Sequence, residues 1–183
     1  MTDTTSDTPD QPAPPQAPAN GEALPPRLFL RAQYVKDLSF ENPRMPEGLS
    51  LGERQPRIDV NVDVQGRGME QPGVFEVVLR MMVSAKDEET PVFVTELVYG
   101  GVFALQNIPV EQVEPLLLIE CPRLLFPFAR RILADATRDG GYPPLLLDPI
   151  DFVELYRQHQ TQAQAQMQGE AQSQLMGDPQ GTA

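Results

Sequence analysis

The stretch Ile119-Glu-Cys-Pro-Arg-Leu-Leu-Phe-Pro-Phe-Ala-Arg-Arg131 marks the point where the chain changes from strand patterns to helix patterns. Proline is tolerated in the first turn of a helix, so Cys121-Pro122 predicts a helix entrance, and Pro127 predicts a bend or restart. Gly140-Gly141 predicts the end of this helix, because glycine readily adopts the positive φ found just past a helix. The predicted apolar stripe of the helix is Phe128, Ile132, Leu133 and Ala136.

The segments before this helix have the alternation of β-strands. The clearest is Arg57–Val64, in which Ile and Val alternate with Asp and Asn. Val74–Ala85 and Val92–Phe103 follow as longer strands, and Leu28–Val35 precedes them. Strands followed by helices predict an α+β domain with an antiparallel sheet. The predicted strand faces are Leu28, Leu30, Ala32 and Tyr34 on one side of the first strand, and Phe75, Val77, Leu79, Met81, Val83, Phe93, Leu97, Tyr99 and Phe103 toward the core.

The opposite sides of the two longer strands are also apolar. A strand that faces solvent usually carries polar residues there. The second side of the sheet is therefore either covered or used for binding, and the pattern favours subunit contact and ligand binding equally. Gly100-Gly101 predicts either a bulge or a close backbone approach. The apolar residues on this second side are predicted to be Val78, Met82, Val92, Val94 and Val98.

The segments around these elements are predicted from their turn and cap residues. Residues 42–56 contain several Pro and Gly, which indicates a long irregular crossing between strands. Tyr142–Pro149 is predicted to be extended, since residues before proline avoid the helical region. Asp151 predicts the N-cap of a last helix, with Glu154 three residues later as in a capping box. The apolar face of that helix is Phe152, Leu155 and Tyr156.

Composition divides the chain into three parts. Residues 1–26 are acidic and rich in Pro, and residues 158–183 are rich in Gln. Neither end carries enough large apolar side chains to offset the entropy of ordering, so both are predicted to be disordered tails around a folded domain at 27–157. No signal peptide and no membrane-spanning apolar run is predicted, which favours a cytoplasmic protein without membrane insertion.

The charge of the chain limits its partners. The net charge is −12, of which −6 belongs to residues 27–157, because residues 1–26 hold four acids and 158–183 hold two, with no Lys or Arg in either part. Nucleic acid is a poor partner for such a surface, since phosphate binding needs clustered Lys and Arg. A basic protein segment fits better, although acidity is also a common means of solubility.

The sequence contains no convincing catalytic or cofactor motif. The single histidine, His159, lies where the domain meets the Gln-rich tail and lacks a rigid support. The single cysteine, Cys121, has apolar neighbours, which favours packing over nucleophilic chemistry. Phosphate-loop, dinucleotide and metalloprotease motifs are absent. We therefore expect no enzyme, no cofactor and no metal site.

Four separated motifs follow one another along the chain: residues 34–43 (YVKDLSFENP), 74–80 (VFEVVLR), Glu96 with 100–103 (GGVF), and 121–130 (CPRLLFPFAR). In their sequence, order and spacing, these motifs resemble the bacterial export chaperone family SecB. The resemblance covers roughly residues 28–157. It implies a four-stranded antiparallel sheet with helices packed on one side, and a homotetramer built as a dimer of dimers. It further implies a chaperone that holds unfolded precursor proteins without ATP and delivers them to the SecA translocase motor.

The resemblance also implies the roles of individual residues. The acids that dock the basic, zinc-bound C-terminal module of SecA fall on Asp37, Glu41 and Glu96, with Val94 beside them. The chain departs from better-known members because it has no tryptophan and carries Arg54 where some relatives have an aromatic residue. The client groove is expected to be formed by Phe40, Met45, Leu49, Leu51, Tyr142, Phe152 and Tyr156.

Two other functions are compatible with the sequence. One is a SecB-like or unrelated adaptor that delivers clients to a protease or to an antitoxin system. The other is a small hydrolase that uses the Cys121 thiol, which predicts rapid alkylation of that thiol in the native protein.

Overall fold

The computed structural model describes residues 24–46 and 56–176. Its strands form one antiparallel sheet in the order β1-β4-β3-β2, with the helices on one side, which confirms the α+β class and the four-stranded sheet. The elements are β1 (Arg27–Glu41), β2 (Arg57–Gly68), β3 (Val74–Asp87), β4 (Thr90–Gln106), α1 (Val110–Pro115), a π-helical turn (Leu116–Glu120), α2 (Cys121–Asp139) and α3 (Phe152–Met176).

The hydrophobic core lies between the helices and the side of the sheet that we call the helix face. The opposite side is called the second face. Helix α2 packs mainly on β3 and β4, the two central strands. The predicted core side of these strands is confirmed, with Phe75 half-buried at its margin. The buried members are Val77, Leu79, Met81, Val83, Phe93, Leu97, Tyr99 and Phe103.

Helix α2 presents a different side to the sheet from the one predicted. Phe128 is exposed, and of the predicted stripe Leu133 alone is fully buried. The physical reason is a close approach at Gly101, where an added Cβ would lie 2.7 Å from Leu125 Cδ2. The buried stripe that this approach selects recurs every four residues and comprises Cys121, Leu125, Ala129 and Leu133.

Two β-bulges change the sides on which the residues of β1 lie. The pairing of β1 with β4 skips Arg31 and Lys36. Each bulge inserts one extra residue, so the alternation of side chains is reset. Ala32 and Tyr34 therefore lie on the second face, and the prediction that placed them with Leu28 was wrong.

A third bulge moves Val92 into the core. The pairing of β3 with β4 skips this residue, so Val92 joins Phe93 on the helix face and is fully buried. Its predicted place on the second face was wrong. The other predicted residues, Val78, Met82, Val94 and Val98, do lie on the second face.

The glycine pair in β4 allows a close backbone approach and does not form a bulge. A Cβ on Gly100 would lie 2.9 Å from the ring of Tyr34 across the β1–β4 pair. Gly101 makes the corresponding contact with α2 on the helix face. Of the two predicted alternatives, the close approach is confirmed.

The helical half of the chain begins and ends largely as predicted. Helix α2 begins at Cys121 but continues the path of α1 through the π-helical turn, and it passes through Pro127 without a break. Gly141 follows α2 with a φ of 90°, as predicted for the residue past a helix. The Asp151 carboxylate accepts hydrogen bonds from the N–H groups of Val153 (3.0 Å) and Glu154 (3.1 Å), which confirms the N-cap of α3.

Several boundaries differ from the predictions or are left open. Strand β2 continues to Gly68, four residues past the predicted end at Val64. Helix α3 continues to Met176, past the predicted limit between the domain and the Gln-rich tail. Most of the predicted crossing at 42–56, the segment 1–23 and residues 177–183 lie outside the described residues. The division into a domain with two disordered tails stays a prediction.

Two sets of apolar side chains remain exposed, one on the edge strands beside α2 and one on the outer side of α2 itself. Because α2 covers the central strands, the helix face of the two edge strands is left open at Leu30, Val35, Leu38, Ile58 and Val60. The side of α2 that points away from the sheet exposes Leu124 and Phe128. These two sets form an apolar surface that this single chain does not cover.

Candidate functional site

The predicted docking residues lie together on the second face. Glu41 is directly opposite Val94 in the β1–β4 pair, and Ser39 between the two β1 acids is opposite Glu96. Asp37 and Glu41 are exposed, and Val94 is half-buried beside them. We call Asp37, Glu41, Val94 and Glu96 the docking patch; it presents three carboxylates around one apolar side chain.

One member of the docking patch already has a partner within the chain. Arg80 of β3 donates a hydrogen bond to Glu96 over 2.6 Å, and the side chains of Arg80 and Glu96 are 52% and 25% exposed. An exposed ion pair of this kind contributes little to stability. It holds the Glu96 carboxylate in place, and it lowers the net charge that the patch presents to a basic partner.

A buried carboxylate next to this patch is the main feature that the sequence analysis missed. Glu76 of β3 is 2% exposed on the second face and accepts hydrogen bonds from the Tyr34 hydroxyl and the Arg67 guanidinium. Lys36 donates to both of its oxygens, over 3.0 and 3.3 Å. A charged residue within the apolar run Val74–Leu79 was the available signal.

The donors around Glu76 change its acidity. The hydrogen bond from Tyr34, assisted by Lys36 and Arg67, lowers the pKa of Glu76 to about 2, although burial acts in the opposite direction. The same hydrogen bond raises the pKa of Tyr34 above its ordinary value. Glu76 is therefore ionised at neutral pH, with its charge held by three groups from β1 and β2.

The predicted client-groove residues fall into two places. Phe40 and Tyr142 pack on Phe93, with ring centroids 5.6 and 5.1 Å from that of Phe93. Met45 contacts the turn after α2, because an added Cβ on Gly141 would lie 3.0 Å from Met45 Cε. We call Phe40, Met45, Phe93 and Tyr142 the aromatic cluster.

Hydrogen bonds fix the aromatic cluster to the start of the crossing. The Tyr142 hydroxyl donates to Asn42 Oδ1 over 2.8 Å, and the Asn42 amide donates to the Gly140 carbonyl over 2.9 Å. Burial raises the pKa of Tyr142. The cluster is thus a half-buried apolar site whose polar atoms are paired.

The other predicted groove residues are not part of this cluster. Phe152 is 1% exposed and packs edge-on against Phe126 in the core, so the prediction that it lines an open groove was wrong. A bulky apolar residue directly after the α3 N-cap faces the core, which the prediction did not take into account. Tyr156 lies half-buried on α3. Leu49 and Leu51 lie outside the described residues.

The single thiol is buried in this fold. Cys121 is fully buried, and burial raises the pKa of its thiol to about 12, with a smaller contribution from Glu120. A thiol with this pKa carries almost no thiolate at neutral pH. Among the described residues, no group of three or more His, Cys, Asp or Glu side chains is placed to hold a metal ion. No helix in this part of the chain has the length and apolarity needed to cross a membrane.

Comparisons with known proteins identify the family and agree with the fold. The sequence model of the SecB family, described as preprotein translocase subunit SecB, matches residues 21–163. The protein-export protein SecB of Maricaulis maris (strain MCS10) is 56% identical over 144 residues, which cover 78% of this chain and 83% of the relative. The protein-export protein SecB of Hyphomonas neptunium (strain ATCC 15444) is 51% identical over 164 residues, covering 89% and 93%.

A solved structure has the same fold at low sequence identity. It is a Mycobacterium tuberculosis SecB-like chaperone in complex with a peptide from an antitoxin. The two chains are 14% identical, with a TM-score of 0.53 over 68% of this chain and 91% of the other. The family match and the identity to the export proteins confirm the resemblance drawn from the four motifs. The chain therefore belongs to the SecB family of protein-export chaperones.

Proposed function

We propose that this SecB-family chaperone holds unfolded precursor proteins on its apolar surfaces and delivers them to the SecA motor through the docking patch. The observation that carries this proposal is the convergence of Asp37, Glu41, Val94 and Glu96 on one face, opposite the helices. Carboxylates around an apolar side chain suit a basic partner that also carries an apolar group. Such charges mainly steer and orient a partner, so the contact is expected to weaken with salt.

Client binding is assigned to a separate surface. The aromatic cluster and the predicted residues Leu49, Leu51 and Tyr156 supply apolar contacts, and Met45 supplies a flexible side chain that can adapt to varied sequences. Holding a chain in this way needs no bond to be made or broken, and therefore no ATP or cofactor. Many weak contacts spread over an assembly raise avidity without strong sequence preference. Phe152 is now assigned to support of this surface from within the core.

We propose that the chain assembles as a homotetramer, a dimer of dimers, in the cytoplasm. The open helix face at Leu30, Val35 and Leu38, and the exposed pair Leu124 and Phe128 on α2, support this proposal because they leave apolar area for subunits to cover. Native mass determination with and without an unfolded precursor tests it. A tetramer that takes up precursor is expected, and a monomer that takes up none contradicts it.

Charge reversal tests the docking patch. In the variant Asp37→Lys/Glu41→Lys, we expect the affinity for the zinc-bound C-terminal module of SecA to fall about tenfold or more at low salt, because attraction becomes repulsion. Fluorescence anisotropy with a labelled module measures this loss. The variant is still expected to hold an unfolded precursor, which is measured by how far it suppresses aggregation of that precursor.

The control is the variant Glu111→Lys/Asp148→Lys. It changes the charge by the same amount at exposed positions outside the docking patch. It is expected to bind the SecA module like the wild-type protein. If a folded docking-patch variant lost SecA binding and precursor holding equally, the assignment of the patch to SecA docking would be contradicted, because the two surfaces would then not be separate.

A further inference from the structure

The second face contains a small basic pocket that the proposed function does not use. Its cavity has a volume of about 270 Å³ and is lined by residues of all four strands. Lys36, Arg67 and Arg80 stand at its rim, with 43%, 70% and 52% of their side chains exposed. Val78 and Val98 form its apolar floor beside Glu76. We call this cavity the basic pocket.

The lining of the basic pocket has more positive than negative charge. Three cations and one carboxylate, Glu76, line the cavity. Two further carboxylates border it next to Arg80: Glu96, which accepts its hydrogen bond, and Asp63, which lies directly opposite it in the β2–β3 pair. Hydrogen-bonding capacity is also left over: within the described part of the chain, the hydrogen bonds of Arg67 use only Nε and those of Arg80 only Nη1. Guanidinium groups with donors to spare bind carboxylates in a bidentate manner.

The N-terminal segment of the same chain carries the matching charge. Asp3, Asp7, Asp10 and Glu22 are its acids, and no Lys or Arg precedes Arg27. Their placement lies outside the described residues. The segment begins near the sheet, because the Pro25 carbonyl accepts a hydrogen bond from the Asn107 amide over 3.3 Å. A tether of this length keeps a ligand at an effective concentration of about a millimolar or more, so that a weak site can be filled.

Chain length decides which acids can reach the basic pocket. Glu76 and Arg67 lie side by side with Ala32 of β1 across the sheet. Ala32 is eight residues from Leu24, the first described residue, which at the rise of a strand is about 26 Å. Glu22 is two residues from Leu24 and can reach only about 7 Å from it. Asp10 is fourteen residues away and can reach about 48 Å, and Asp3 and Asp7 can reach further. Three of the four acids can therefore return to the pocket, and Glu22 cannot.

We propose that the basic pocket binds a carboxylate of the chain's own N-terminal segment, supplied by Asp3, Asp7 or Asp10. The carboxylate accepts hydrogen bonds from the outer nitrogens of Arg67 and Arg80, above the two valines. The segment is thereby held against the second face of its own sheet.

Paramagnetic relaxation in the full-length protein tests the contact. A nitroxide is attached at Gln11→Cys, since the buried Cys121 is not labelled, and the valine methyl groups carry the NMR signal. We expect stronger relaxation at the Val78 and Val98 methyls than at Val153 on α3. The effect should be lost in the variant Asp3→Asn/Asp7→Asn/Asp10→Asn and weakened at about 0.5 M salt, where charges are screened within a few ångströms.

The matched control is Glu22→Gln, which removes the same kind of charge from the same segment but from a position that cannot reach. Relaxation at Val78 and Val98 is expected to stay unchanged in this variant. On the pocket side, Arg80→Gln should reduce the relaxation while it leaves the three partners of Glu76 in place.

Three results overturn the proposal. One is the absence of relaxation at Val78 and Val98 in the labelled wild-type chain. Another is relaxation that persists without the three Asp charges, or that is lost equally in Glu22→Gln. The last is a change in the NMR chemical shift of the Val78 methyl groups when acidic peptide or acetate is added, in a protein whose nitroxide shows no contact. That result would assign the pocket to a carboxylate from outside the chain.

Discussion

Replacing Glu76 with Gln keeps the shape of the side chain and removes the negative charge that Tyr34, Lys36 and Arg67 surround. The pKa of Glu76 falls from its ordinary 4.5 to about 2 on folding. A difference of this size corresponds to about 3 kcal/mol of the free energy of unfolding at neutral pH. In either orientation the amide of Gln also turns its NH₂ group toward the Lys36 ammonium, which can only donate, so we expect Glu76→Gln to lower that free energy by about 3 kcal/mol or more.

The sign of the pH dependence follows from the lowered pKa. The ionised carboxylate contributes its full stabilisation above pH 4.5, and this contribution is lost as the pH falls toward 2. The wild-type protein and the variant should therefore differ less in free energy of unfolding near pH 3 than near pH 7, by about 2 kcal/mol. The variant has no titrating group at this position, so the difference between the two proteins isolates Glu76.

Urea unfolding of both proteins at several pH values, at one fixed protomer concentration, measures this difference. The fixed concentration is needed because assembly adds to apparent stability. NMR of protein labelled with ¹³C at the glutamate carboxyls follows the Glu76 carboxyl directly, and its resonance should not titrate between pH 7 and about 4. The control Glu70→Gln removes an exposed carboxylate and should change stability by less than about 0.5 kcal/mol.

Two outcomes would refute the reasoning. A Glu76→Gln variant as stable as the wild-type protein near pH 7 would show that the three donors do not stabilise the ionised form. A stability difference that stays constant between pH 7 and 3 would show that the loss comes from packing and not from the charge. A normal titration of the Glu76 carboxyl near pH 4.5 would agree with either outcome.

Three further predictions concern the core and α3. Cys121 should be alkylated by iodoacetamide far more slowly in the native protein than in urea, because its thiol is buried with a pKa near 12; rapid native labelling, read by mass spectrometry, would contradict this. Gly101→Ala should lower the free energy of unfolding by about 1–3 kcal/mol, because the new Cβ meets Leu125, whereas Gly68→Ala has nothing within 4 Å and should unfold in urea without this loss. Asp151→Ala should cost about 1 kcal/mol through loss of the α3 N-cap, and Asp151→Ser should restore most of it in the same assay.

The order of strands and helices could be predicted from the sequence because it follows from local periodicity. Alternation in Arg57–Val64 and the cap at Asp151 act within a few residues, and both are confirmed. The side on which a residue lies was less predictable where strands bulge. Bulges at Arg31, Lys36 and Val92 depend on how neighbouring strands pair, and no local pattern announces them.

The candidate sites show the same division. The docking patch lies in a part of the β1–β4 pair that contains no bulge. The alternation of side chains along a strand was therefore enough to predict that Val94 and Glu96 share a face. The partners of Glu76 come from two other strands, β1 and β2, and the bulge at Lys36 places one of them. Phe152 was assigned to an open groove because its burial depends on how α3 packs against Phe126, which no pattern within α3 shows.

The π-helical turn between α1 and α2 determines the rotational phase of α2. Such a turn contains one residue more than an α-helical path, and each residue rotates the side-chain direction by about 100°. Without that residue, Pro122, Phe126, Arg130 and Ala134 would face the sheet, and a guanidinium would enter the core in place of Ala129. A single insertion outside α2 thus decides which stripe the sheet buries and which stripe, at Leu124 and Phe128, is left facing outward.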